Sequence, residues 1–94
     1  MKTFTYRLED ENGLHARPAG VLATFAKRFG ASVEIQLGEK RADAKRLLSL
    51  MTLGARHGDD LCFCISGEDE ESAARALEVF CREEWAKQSG GKTR

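Results

Sequence analysis

Three short runs of this chain alternate apolar and polar residues, and each run leaves room for only one buried face. Phe4, Tyr6 and Leu8 are separated by Thr5 and Arg7; Val33, Ile35 and Leu37 by Glu34 and Gln36; Leu61, Phe63 and Ile65 by Cys62 and Cys64. Successive side chains of a strand point to opposite faces, so each run reads as a strand with one apolar side. Between the runs the spacing changes to that of helices. Ala19, Leu22, Phe25, Ala26 and Phe29 recur at helical intervals over 16–29, and RLLSLMTLG (46–54) reads as a short apolar helix. Further on, Ala73, Leu77, Phe80 and Glu84 share a stripe, with Ala74, Cys81 and Trp85 beside it. One-faced strands alternating with helices fit a two-layer α+β domain: a single sheet covered by helices on one face and open to water on the other.

Turn and cap residues set the boundaries. EDENG (9–13) ends the first strand, and Pro18 belongs in a first helical turn, where backbone N–H groups lack partners anyway. Gly30 is expected to close that helix, and Gly38–Glu39 to turn into a third strand around Lys40 to Ala44. Gly54 stops the second helix; Asp69 is placed to cap the third, with glutamates in its first turn facing the helix dipole. The order is β-α-β-β-α-β-α. With 94 residues, 41% hydrophobic and 32% charged, the chain suits one globular domain. Lys plus Arg and Asp plus Glu are 15 each, so net charge points to neither nucleic acid nor membrane. The larger residues of the third alternating run should take its core face. That puts Cys62 and Cys64 on the open face as free thiols and leaves Cys81 protected. Three cysteines without a CxxC pair fit a reducing compartment. Two histidines and no second ligand pair give no usual metal-ligand set, so no metal is expected. No apolar run approaches the ~20 residues of a membrane span, and no signal peptide opens the chain, so a cytoplasmic protein is expected.

The stretch NGLHARPAG (12–20) places His15 where a turn meets a helix start. Helix N-termini hold anions through unpaired N–H groups and a partial positive charge. The N–H groups of Ala16 and Arg17 are available there, and the Arg17 guanidinium suits phosphate oxygens. A neutral imidazole is a competent nucleophile. The residues alone leave two readings open: a phosphoryl acceptor, or an ordinary solvated His–Arg pair. His57, in ARHGD (55–59), has neither a helix start nor a motif arginine.

GLHARPA (13–19) resembles the active-site signature of the HPr family, the histidine-containing phosphocarriers of the bacterial phosphoenolpyruvate-dependent sugar phosphotransferase system (PTS). AKRLLSLMTLG (44–54) is similar to that family's second-helix segment, and the likeness extends over about residues 2–85. The resemblance implies an open-faced β-sandwich, with a four-stranded antiparallel sheet covered by three helices. It would occupy residues 1–88, with a flexible tail at 89–94. It implies a carrier rather than an enzyme with turnover of its own. The carrier would take a phosphoryl group from Enzyme I on Nδ1 of His15, with Arg17 neutralising the phosphoryl oxygens, and pass it to IIA domains of sugar permeases. It further implies a monomer without cofactor, nucleic acid or membrane insertion. Ala16, Gly20, Thr24, Arg46, Leu47, Leu48 and Met51 match the family's partner-docking surface; of these, Leu47, Leu48 and Met51 should be partly exposed, with Leu50 and Leu53 inward. Many HPr proteins carry a regulatory serine where this chain has Arg46, so that switch should be missing, with Ser49 the nearest hydroxyl. Arg46 with Lys40, Arg41, Lys45 and Arg17 would then favour acidic partners. Alternatives that keep the motif are a nitrogen-type regulatory paralogue and a binding module with an idle histidine.

Overall fold

A computed structural model describes residues 1–85, so the expected tail at 89–94 and the last residues of the expected domain lie outside the described residues. The elements are β1 (Lys2–Arg7), α1 (Ala16–Ala26), β2 (Ser32–Leu37), β3 (Lys40–Asp43), α2 (Leu47–Met51), β4 (Asp60–Ser66) and α3 (Glu70–Phe80), which runs into a π-helical turn over Cys81–Trp85. The strands form one antiparallel sheet in the order β1-β4-β2-β3. β4 thus fills the gap between β1 and β2.

The expected alternation sets the register. Phe4 faces Phe63, Phe63 faces Ile35, and Ile35 faces Ala42, which makes one apolar row across all four strands. Leu61, Phe63, Ile65, Val33 and Ile35 are buried beneath Ala19, Leu22, Ala23 and Ala26 of α1, Leu50 of α2, and Ala73, Leu77 and Phe80 of α3. The phenyl rings of Phe4 and Phe63 stack with centroids 4.6 Å apart. The next row, Thr5, Cys62, Gln36 and Arg41, lies on the other face, away from the helices. The two-layer α+β architecture is therefore the one the patterning implies. Among the described residues, no helix is long and apolar enough to cross a membrane.

Several boundaries differ from the sequence expectation. α1 ends at Ala26 rather than near Phe29, because Arg28 and Phe29 donate three residues back, to the carbonyls of Phe25 and Ala26. The tightened turn finishes the helix before Gly30, which takes no positive φ, whereas Gly54 does (φ 63°). β3 stops at Asp43, one residue early, although the Ala44 N–H still donates to Val33 O. α2 is helical only over Leu47–Met51, with Thr52 and Leu53 in a closing turn. Asp69 stands at the start of α3 but does not cap it with its side chain. Its carboxylate instead accepts from the N–H groups of Gly30 (3.1 Å) and Ala31 (2.8 Å), tying α3 to the entry of β2. The α-helical stripe fails at its far end: Glu84 is exposed and Trp85 buried. The wider π turn adds a residue to the helical cycle and rotates the indole inward.

Cys62 and Cys64 are half-buried and free, and Cys81 is fully buried. Burial, and secondarily the charge of Glu78, pushes the Cys81 thiol well above its usual range. Brief alkylation of the native protein followed by peptide mapping is expected to label Cys62 and Cys64 while sparing Cys81 until urea is added. Prior labelling of Cys81 would show that the β4 register or the packing of α3 is wrong.

Candidate functional site

The loop before α1 is folded by its own polar groups. Asp10 accepts the Asn12 N–H on Oδ1 at 2.8 Å, an Asx-type turn, and the Gly13 N–H on its carbonyl at 2.9 Å. Leu14 is buried, and its N–H donates to Ala55 O at 3.0 Å, stitching the loop to the segment after α2. Gly13 has φ 74°, and a Cβ there would stand 2.5 Å from Ala55 O. Only glycine meets both demands without strain. The loop therefore delivers His15 to a fixed place.

His15 is the N-cap residue of α1, in extended conformation (φ −97°, ψ −172°), and its carbonyl accepts the Ala19 N–H at 3.1 Å. Its imidazole side chain is 38% exposed, so the ring is reachable from solvent. The ring Nε2 lies 3.3 Å from Oδ2 of Asp10, a residue only 8% exposed. An ionised carboxylate can only accept, so this contact places the ring hydrogen on Nε2 and leaves the lone pair of a neutral ring on Nδ1. Pro18 is buried in the first turn with no N–H to satisfy, and Ala16 and Arg17 keep first-turn N–H groups without intrahelical acceptors. Arg17 is exposed, and among the described residues its guanidinium has no carboxylate partner. Arg17 lines a groove of about 670 Å³ with Gly20, Thr24, Phe25, Phe80 and Glu84. The whole first turn is held from behind by Trp85, whose indole Nε1–H donates to Pro18 O at 2.8 Å.

α2 packs against α1, so the expected docking residues share the helical side of the domain. Leu47, Leu48 and Met51 are 37%, 77% and 42% exposed, while Leu50 and Leu53 are buried, the split expected from the sequence. Ala16 and Thr24 are exposed, and the space around Gly20 is open. The expected basic cluster is divided. Arg46 is exposed at the start of α2, but the Lys45 ammonium donates to Phe29 O at 2.7 Å, closing the end of α1. Arg41 pairs in register with Gln36 on the open face of the sheet, away from the helices. Ser49 is half-buried, and its hydroxyl accepts the Asp43 N–H at 2.9 Å. His57 is exposed in the turn between Arg56 and Asp59, and among the described residues no carboxylate lies against its ring. Sequence reasoning missed Asp10 and Trp85 as parts of the site. Asp two residues before an Asn-Gly turn is a signal for the Asx turn; nothing local signals the indole contact, which spans 67 residues.

The arrangement presents a partly exposed imidazole at a helix N-terminus, with a guanidinium two residues on and an apolar patch on the neighbouring helix. Such a site can accept and release a phosphoryl group. The family model for the PTS HPr component phosphorylation site matches residues 2–83. The chain is 36% identical over 83 residues to a phosphocarrier protein HPr of Lysinibacillus sphaericus, covering 88% of this chain and 94% of that protein. It is 39% identical over 75 residues to DhaM of Providencia stuartii, the phosphoryl donor subunit of a PEP-dependent dihydroxyacetone kinase, covering 80% of this chain but 16% of that protein. Among solved structures it is similar to a mycoplasma histidine-containing phosphocarrier protein (28% identity, TM-score 0.84, 89% of this chain and 96% of that one). It is also similar to an HPr of Thermoanaerobacter tengcongensis (30% identity, TM-score 0.83, 90% and 96%).

Proposed function

The chain belongs to the PTS HPr family of phosphocarriers, and we propose that it takes a phosphoryl group on Nδ1 of His15 from phospho-Enzyme I and passes it to IIA domains of sugar permeases in the cytoplasm. The observation that carries this reading is the Asp10 carboxylate 3.3 Å from Nε2, which leaves Nδ1 as the nucleophilic nitrogen beside the α1 N-terminus. In the transfer, the Nδ1 lone pair attacks the phosphorus carried by the donor protein's histidine as the donor P–N bond breaks. The positive charge left on the imidazole ring faces Asp10, and the phosphoryl oxygens meet the N–H groups of Ala16 and Arg17 and the Arg17 guanidinium. Little other covalent chemistry is needed, so positioning and charge stabilisation dominate. The phosphoryl group moves between proteins without net turnover by this chain. Leu47, Leu48 and Met51, with Gly20 and Thr24 beside them, serve as a weak docking surface that two partners use in turn.

The test is incubation with Enzyme I and phosphoenolpyruvate, read by intact mass and by acid lability of the adduct; no acid-labile adduct would refute the reading. Within the same assay Arg17→Ala is expected to slow transfer by roughly 10²–10³, the usual loss for one preorganised charge partner. Its urea midpoint should stay close to that of the parent, because the side chain is exposed and has no ion pair among the described residues. Near-normal transfer with a large drop in midpoint would reverse the assignment.

The likeness to DhaM supports a second reading of the recipient, in which the same histidine supplies a dihydroxyacetone kinase. Offering the phosphorylated chain to a IIA domain and to such a kinase separately distinguishes them. In either case Arg46, which has no hydroxyl, removes the serine switch, and Ser49 is not expected to replace it. An ATP-dependent HPr kinase should add no phosphate to this chain.

A further inference from the structure

On the open face of the sheet, opposite the helices and away from His15, the two thiols of β4 stand side by side. Cys62 and Cys64 are two apart on one strand and point the same way, with Sγ atoms 4.0 Å apart and both partly accessible. Thr5 and Gln36 flank the first in register, and Thr3 and Glu34 flank the second. The pair sits mid-sheet on the strand hydrogen-bonded on both sides, so its backbone cannot readily shift.

That stiffness argues against a disulfide. Residues i and i+2 of a strand are held roughly 6.6 Å apart along the chain, with Cβ atoms at similar spacing, whereas a disulfide needs its Cβ atoms at about 3.8 Å. A shared ion fits better. With metal–thiolate bonds of about 2.3 Å, two sulfurs stand about 3.8 Å apart at a tetrahedral angle, about 4.0 Å at a trigonal angle and about 4.6 Å when collinear. The observed spacing matches the trigonal case. Among the described residues no set of three or more His, Cys, Asp or Glu side chains converges on one point, so the protein supplies two donors. A third must come from solution. Two soft sulfurs with one open position suit a soft, low-coordinate ion rather than one that demands four protein ligands.

We propose that Cys62 and Cys64 form a chelate for a soft monovalent cation of the Cu(I) class, three-coordinate, with a small exogenous thiol as its third ligand. Each protein S–H bond is replaced by an S–Cu bond and the exogenous thiol exchanges its own S–H for the third, so three protons are released with no change of oxidation state. Cys81, fully buried in the core, takes no part.

The test is anaerobic titration of the reduced full chain with Cu(I), a small thiol being present at fixed concentration, against a chromophoric Cu(I) chelator, with ultraviolet thiolate-to-copper absorption and proton release as second and third readouts. One equivalent is expected per chain. Joining two donors on one scaffold makes the second bond intramolecular and is worth roughly 10²–10⁴ in affinity. Cys62→Ser and Cys64→Ser should each lose at least about a hundredfold by that measure, while Cys81→Ser competes as the parent does. Both serine variants lie on the open face, and an unchanged urea midpoint will establish that they fold. If either single-thiol variant holds Cu(I) as tightly as the parent, or if Cys81→Ser abolishes binding, the chelate is wrong.

Discussion

His15→Ala should take up no phosphoryl group from phospho-Enzyme I, while His57→Ala is labelled to the same extent as the parent chain. Both histidines are reachable by solvent, so access does not separate them; their surroundings do. His15 sits at the N-terminus of an 11-residue helix with a nearly buried carboxylate on Nε2, whereas His57 lies in a turn with no such partner among the described residues. A phosphoryl group on His15 would meet first-turn N–H groups and Arg17; on His57 it would meet water. Without an acceptor nitrogen the first variant has no route to product, so the expected effect is total rather than fractional. Intact mass after incubation, followed by peptide mapping under alkaline conditions that spare phosphohistidine, reads both variants together. Label persisting in His15→Ala would place the acceptor elsewhere. Asp10→Ala and Asp10→Asn refine the same experiment. Asparagine has one acceptor oxygen for the two positions that Asp10 fills; with that oxygen kept on the Asn12 N–H, its NH2 group faces Nε2 and donates, so Asp10→Asn should move the ring hydrogen to Nδ1 and slow transfer. Asp10→Ala removes the partner altogether, and ring nitrogen NMR shifts should show mixed tautomers in that variant and the Nδ1–H form in Asp10→Asn.

What the sequence revealed and what it hid follow from the range of the interactions involved. The strand faces were legible because period-two alternation is a local signal: Leu61, Phe63 and Ile65 went inward and both thiols outward, as their sizes imply. The order of elements was legible for the same reason, and the motif around His15 marked the candidate site. Helix ends were less so. Gly30 looked like a stop, yet α1 had already closed through two three-residue hydrogen bonds, with Lys45 from a distant segment on the Phe29 carbonyl. Asp69 looked like a cap, yet its carboxylate had better-placed donors 38 and 39 residues away. The basic cluster looked like one patch until the β2–β3 pairing sent Arg41 to the other face. For Asp69 a long-range partner outcompeted the local one, and a reading limited to neighbours along the chain had no access to it.

The π turn is the clearest of these cases, and it carries the largest expected stability effect: Trp85→Ala should destabilise the domain by about 3–5 kcal/mol, the range for removing a buried aromatic side chain. Trp85 is 2% exposed and sits among rings, 5.6 Å from Tyr6, 6.2 Å from Phe63 and 6.3 Å from Phe80 between centroids. Truncation would open a cavity where α3, β1 and β4 meet. It would also leave the buried Tyr6 hydroxyl, which has no hydrogen-bond partner among the described residues, in altered surroundings. For a domain whose total stability is of order 5–15 kcal/mol, that loss should shift the melting temperature by well over ten degrees, at roughly 4–8 °C per kcal/mol. Trp85→Phe separates packing from positioning. Phenylalanine keeps most of the apolar contact but cannot donate to Pro18 O, so the stability loss should fall to about 1–2 kcal/mol. The first turn of α1, no longer tied at Pro18, is then free to shift under His15 and Arg17. Thermal melts and phosphoryl-transfer rates on the two variants decide between the roles. A Trp85→Phe protein that is nearly as stable as the parent yet slower in transfer would assign the indole a positioning role. Equal transfer rates would confine Trp85 to the core, and a Trp85→Ala protein that melts with the parent would overturn the packing argument itself.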